Sequence, residues 1–162
     1  MTKVSQITVN EILSGISKAV YDVYGSTLSI YKEKQEYIEL PGICIYCINY
    51  EQDMGRNDRF TNTFNVIINY FPEDNSIISN NRAVMFYEAQ KIMNAIQYIN
   101  LPAYQRDNDG NFVETILQSR AQEVNVEEQE DHMQISATYV VRTRKHTETI
   151  KMNNLDLDVT NK

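Results

Sequence analysis

The order of elements between Thr8 and Val141 narrows the fold more than any single motif does. The spacing of apolar residues predicts one capped amphipathic helix, three strands, a second helix, and then a long two-stranded hairpin. That order predicts an α+β domain, with an antiparallel or mixed sheet of about five strands and both helices packed on one face.

The first helix has the clearest signal. Thr8 is a suitable N-cap, and Glu11 three residues later completes a capping box. Ile7 and Ile12 have the spacing of a hydrophobic staple. Ile12, Ile16, Val20 and Val23 recur at helical spacing, and Gly25 follows as a C-terminal cap.

A first short strand is predicted over Leu28 to Glu33. Ile43 to Ile48 is apolar on both faces and rich in β-branched residues, the pattern of a central strand covered on both sides. From Arg59 to Tyr70 the pattern alternates cleanly. Phe60, Phe64, Val66, Ile68 and Tyr70 share one face, while Thr61, Thr63, Asn65 and Asn69 share the other. Between these strands, Glu51 to Asp58 reads as a polar connection turning at Gly55. The second helix is predicted to start near Ser79 to Asn81. Its stripe is Met85, Ala89, Ile92, Ile96 and Ile99, and Leu101-Pro102 ends it. After a turn at Asp107 to Gly110, Phe112 to Val126 and Met133 to Arg144 are the strands of the hairpin, joined by the acidic run Glu127 to Asp131. The predicted domain covers residues 1–146, and residues 147–162 form an extended C-terminal tail.

At 162 residues the chain is long enough for one domain with a sizeable core. A net charge of -7 argues against a nucleic-acid binder that works by neutralising phosphates. No apolar run is long enough to span a membrane, and residues 1–6 lack the apolar core of a secretory signal. Synthesis in the cytoplasm, with later release in a particle still open and no membrane partner, is the matching expectation.

The sequence shows no recognisable catalytic constellation, so the expectation is a non-enzyme without cofactor or metal. Cys44, Cys47, His132 and His146 are the only arrangement resembling a zinc set. Zinc ligands normally sit on turns, whereas these cysteines lie mid-strand, on opposite faces, so a disulfide between them is not expected either. Nothing beside either cysteine would lower its pKa for nucleophilic work. Glu127, Glu128, Glu130 and Asp131 read as a solvated hairpin tip rather than a calcium or acid–base site. Asp53 to Asp58 lacks phosphate-loop spacing. The short basic run Arg142, Arg144, Lys145, His146 reads as a solvated strand end or a contact to an acidic neighbour.

Two segments read as partner contacts. Met54 and Arg56, in the connection between core strands, are residue types enriched at interfaces. In the tail, Leu155, Leu157 and Val159 alternate with Asp156, Asp158 and Thr160. That is a strand pattern too short to stand alone and suited to pairing with a neighbour's sheet.

The helix Ile7 to Ala19, the strand Ile30-Tyr31-Lys32-Glu33, the strand Phe64 to Pro72, and the hairpin ending Ala137-Thr138-Tyr139-Val140-Val141 together resemble the tail terminator proteins of long-tailed bacteriophages, in particular those of Gram-positive prophages and phage-tail-like particles. The resemblance spans most of residues 7–144. The acidic connection Glu127 to Asp131 is longer than the Asp-Gly turn common in that family, and the tail is longer too. The resemblance implies a structural protein that forms a ring, usually of six subunits, on the end of the tail tube. Such a ring stops polymerisation and joins the tube to a connector, collar or sheath. The implied partners are further copies of the chain, the tail tube protein, and a sheath protein or connector, with DNA passing through the lumen without sticking. Rival readings are a head–tail connector or tail-completion protein, and a small ligand-binding domain or unrecognised enzyme.

Overall fold

The computed structural model describes residues 2–3, 7–56, 59–73 and 82–144. In chain order the elements are β1 (Thr2–Lys3), α1 (Val9–Tyr24), a 3-10 turn (Gly25–Thr27), β2 (Ser29–Tyr31) and β3 (Gly42–Met54). Then come β4 (Arg59–Phe71), α2 (Arg82–Ile96), β5 (Tyr98–Arg106), β6 (Phe112–Glu128) and β7 (Met133–Arg144). The strands form one sheet of order β1-β5-β6-β7-β4-β3-β2. β2 and β3 run parallel. The other neighbours are antiparallel.

The helix α1 begins as its sequence demands. Thr8 Oγ1 accepts from the Glu11 N–H at 3.2 Å, and Glu11 Oε2 accepts from the Thr8 N–H at 2.8 Å, so two orphan donors of the first turn are satisfied reciprocally. Gly25 ends it at a φ of +63°. Ile12, Leu13, Ile16 and Val20 are its buried face. Val23 is not part of that face: it is exposed. The half-buried Tyr24 takes the inward place, its hydroxyl donating to Glu88 Oε2 of α2 at 2.7 Å.

The apolar phase of the central strands sets the core. Phe64, Val66, Ile68 and Tyr70 on β4 lie opposite Tyr139, Ala137, Ile135 and Met133 on β7. All eight are buried, in one cluster with the inner faces of α1 and α2. Both helices therefore cover the same face of the sheet. The opposite face carries no helix among the described residues.

The structure departs from the expected elements in three places. The sheet has seven strands rather than about five, because Tyr98–Arg106 is a full strand and the two-residue β1 pairs with it. Ile99 is its first buried residue, not the end of the α2 stripe, and Leu101-Pro102 lies inside it. Proline is tolerated there because β5 ladders with β6 on one side and meets β1 only at Tyr104 and Gln105. Second, β3 is not a central strand. Only its start is buried on both faces, and outside it lies the three-residue β2. Third, Glu51 to Met54 is not a loop: these residues continue β3, opposite Thr63 to Phe60. The connection to β4 is the short segment 55–58. The expected cap at Ser79 to Asn81 and the tail 147–162 lie outside the described residues.

Candidate assembly surface

The helix-free face is built from the polar phase of the same strands. Thr61, Thr63 and Asn65 of β4 lie beside Arg142, Val140 and Thr138 of β7. Thr138 Oγ1 donates to Asn65 Oδ1 at 2.8 Å, which joins the two strands on this face. Carboxylates flank the strip on both sides: Glu51 and Asp53 on β3, Glu123 and Glu127 on β6. Arg142, exposed, brings positive charge to one end. The surface is amide- and hydroxyl-rich in the middle and acidic at its flanks.

Two shallow hollows open on it. One, of about 250 Å³, lies between register shifts in β3 (Cys47/Asn49) and β6 (Ala121/Glu123), and is lined by Ile48, Asn65, Glu123, Asn125, Ser136 and Thr138. The other, of about 350 Å³, lies among Lys34, Cys44, Tyr46, Asn69, Phe71 and His132. The His132 ring stacks on Phe71, and its Nδ1 lies 2.6 Å from Asp131 Oδ1.

The strand edges are the second feature of the surface. Beyond Cys44, no described strand pairs with the outer side of β3. Ile48 and Met54 on that strand are 60% and 79% exposed. β6 changes partner at its middle: Phe112 to Arg120 ladder with β5, and Ala121 onward ladder with β7. The β5–β6 arm therefore leaves the main sheet with Ile116 69%, Val113 49% and Tyr98 47% exposed. Arg120 sits at its base, with its guanidinium 6.0 Å from the Tyr98 ring centroid.

A buried amide holds the far end of β3. Asn62, 1% exposed, accepts from Tyr50 Oη and Gln52 Nε2, each at 2.9 Å. It donates to the Val141 carbonyl at 3.1 Å and to Thr143 Oγ1 at 2.9 Å. Three strands are thereby tied together just below the β3–β4 turn. Met54 ends β3 there and Arg56 is exposed in the turn itself, so the structure brings these two sequence-selected residues to one exposed tip. Leu155, Leu157, Val159 and His146 lie outside the described residues. Ile116 and Arg120 were missed. Ile116 interrupts the alternation of Val113, Thr115 and Leu117, and consecutive apolar Ile116-Leu117 was the available signal that both faces of β6 are used.

Cys44 and Cys47 are free thiols on opposite faces, and burial pushes both thiol pKa values up, away from the reactive thiolate. Among the described residues no group of three or more His, Cys, Asp or Glu could hold a metal ion. No helix among them is long and apolar enough to cross a membrane. Compared with known proteins, residues 11–151 match the family model described as phage tail terminator protein. No curated protein matches the chain.

Proposed function

The chain belongs to the phage tail terminator family, and from that premise we propose that it forms a ring of six copies on the end of the tail tube. The ring stops tube polymerisation and joins the tube to a connector, collar or sheath. The work is structural, done by surfaces and not by catalysis, and assembly takes place in the bacterial host cytoplasm. The observation that carries this reading is the strand surface left open in one subunit: the outer side of β3 and the β5–β6 arm are different surfaces on different strands. A closed ring uses head-to-tail contacts, and each subunit then needs two different complementary patches. The helix-free face, neutral in the middle and acidic at its flanks, suits a lumen through which DNA slides without losing its counterions.

With a charge of -7 per copy, closure is resisted in free solution and favoured on a template. The test is sedimentation and native mass spectrometry of the full chain, alone and with tail tubes. The expected result is monomer or weak oligomer alone, and on tubes a six-copy ring that holds tube length constant. Tubes that grow to the same lengths with and without the protein would overturn the proposal.

A further inference from the structure

The open β3 edge and the β5–β6 arm match each other in charge and in apolar spacing. The inference drawn from this rests on the ring reading above and deepens it.

On β3, Glu51 and Asp53 point to the helix-free face, as the partners of Thr63 and Thr61. Both are exposed, and Ile48 is exposed a short way back along the same strand. On β6, Arg120 and Ile116 lie on the helix-free side too, since Ser119 and Ala121 between and beside them are buried toward the helices. Arg120 makes no ion pair among the described residues, and neither do Glu51 and Asp53. The separation of Ile116 from Arg120 equals that of Ile48 from the midpoint between Glu51 and Asp53. A parallel approach therefore brings both contacts into one register. The alternative neighbour for the β3 edge, the outer side of β5, is blunted by Pro102 and partly taken by β1.

We infer that the β5–β6 arm of one copy packs along the open β3 edge of the next copy, with Arg120 set against Glu51 and Asp53 and Ile116 against Ile48. Repeated around the ring, this contact is head-to-tail and uses each surface once per subunit. Desolvated charge pairs of this kind set register and partner orientation more than raw affinity.

Two charge-reversed full-length chains test it, Arg120→Glu and the double variant Glu51→Arg with Asp53→Arg, each first shown to keep the parental circular dichroism and melting behaviour. Each has one reversed surface and one native surface. Mixed in equal amounts, they present matched pairs at every junction of an alternating six-membered ring. The expected result is that either variant alone caps at least tenfold fewer tubes than the parent, and that the mixture recovers capping. If both variants cap tubes alone as the parent does, this pairing is wrong while the ring reading stands. If both fail and the mixture fails as well, the arm and the edge do not meet, and the contact is made by other residues or by residues 145–162. If the parent itself never caps tubes, both readings fall.

Discussion

The phenol of Tyr139 on β7 donates a hydrogen bond to the main-chain carbonyl of Ile96, 2.5 Å away at the last turn of α2. Both residues are fully buried. The last carbonyls of a helix have no partner within it, so a side chain from the sheet here completes the helix end. Tyr139→Phe keeps the ring and its packing but strips the carbonyl of its donor. A buried unsatisfied acceptor costs about 1–3 kcal/mol. Urea unfolding should show that loss with an unchanged slope. An unchanged midpoint would mean that the Ile96 carbonyl finds another partner.

Three tyrosines predict a particular alkaline limit. Burial, and then the carboxylates of Glu88 and Glu73, push Tyr70 up to about 12. Burial also raises Tyr139, while burial and then the hydrogen bond to Glu88 raise Tyr24 well above the usual phenol range. In the unfolded chain these phenols ionise near pH 10. Folded pKa values above the unfolded ones mean that the stability is whole below pH 10. It is lost as the pH rises from 10 toward 12. The melting temperature should be flat up to pH 9 and fall steadily from pH 10. Tyr70→Phe should make that fall shallower. A fall of equal steepness in the variant would remove Tyr70 from the account.

Gly42 opens β3 opposite Ser29 of β2. A Cβ built there would lie 2.5 Å from the Glu39 carbonyl oxygen and 2.6 Å from Ile38 Cγ2. The nearer obstacle is backbone, so the connection between β2 and β3 has to shift. Overpacking of this kind costs about 1–3 kcal/mol. Gly42→Ala should therefore lower stability and raise amide exchange at Ser29 to Tyr31. Parental exchange rates there would show that the segment yields without strain.

How much could be read in advance followed how each strand is buried. β7 and the first half of β4 have one face on the helices and one face open, so their alternation was legible residue by residue. Ile67 and Asn69, buried on the other face of β4, break it. The capping box of α1 was legible too. β5 was not legible, because Ile99 continues the helical spacing of Ile92 and Ile96, and because proline usually ends an element. The far half of β3 was not legible either. Its residues face solvent more than core, so they carry no apolar alternation, and its pairing to β4 is a tertiary fact. At the candidate surface, Met54 and Arg56 could be picked by residue type. Arg120 could not, because its significance depends on β6 changing partner beside it.

Asn62 was hidden among the apolar residues of β4 for a related reason: as a polar residue on the helix-side phase, it reads as an exception. All four hydrogen-bonding positions of its amide are filled, by Tyr50, Gln52, Val141 and Thr143. Asn62→Ala leaves Thr143 and the Val141 carbonyl buried with one partner fewer. The expected loss is about 1–3 kcal/mol, with faster amide exchange confined to Tyr50 to Met54 and Val141 to Thr143. A uniform rise in exchange across the sheet would mean that Asn62 supports the whole fold and not this end.

That same end carries the exposed turn. Met54 is 79% exposed, and Arg56 beside it is exposed. The turn itself is held by main-chain bonds, Gly55 N–H to the Arg59 carbonyl at 2.7 Å and Arg59 N–H to the Arg56 carbonyl at 3.3 Å. Neither side chain is needed for folding, so Met54→Ser with Arg56→Ala should change stability by no more than about 0.5 kcal/mol. A flexible thioether and a guanidinium at one tip are nonetheless side chains that interfaces favour. We propose that this tip touches a neighbouring subunit or the tube, since it continues the β3 edge proposed above for the ring contact. The double variant should fold normally and leave more tube ends uncapped when tails are assembled at limiting protein and counted by electron microscopy. Ring occupancy and tail length equal to the parent's, at every protein concentration tried, would make the tip a bystander.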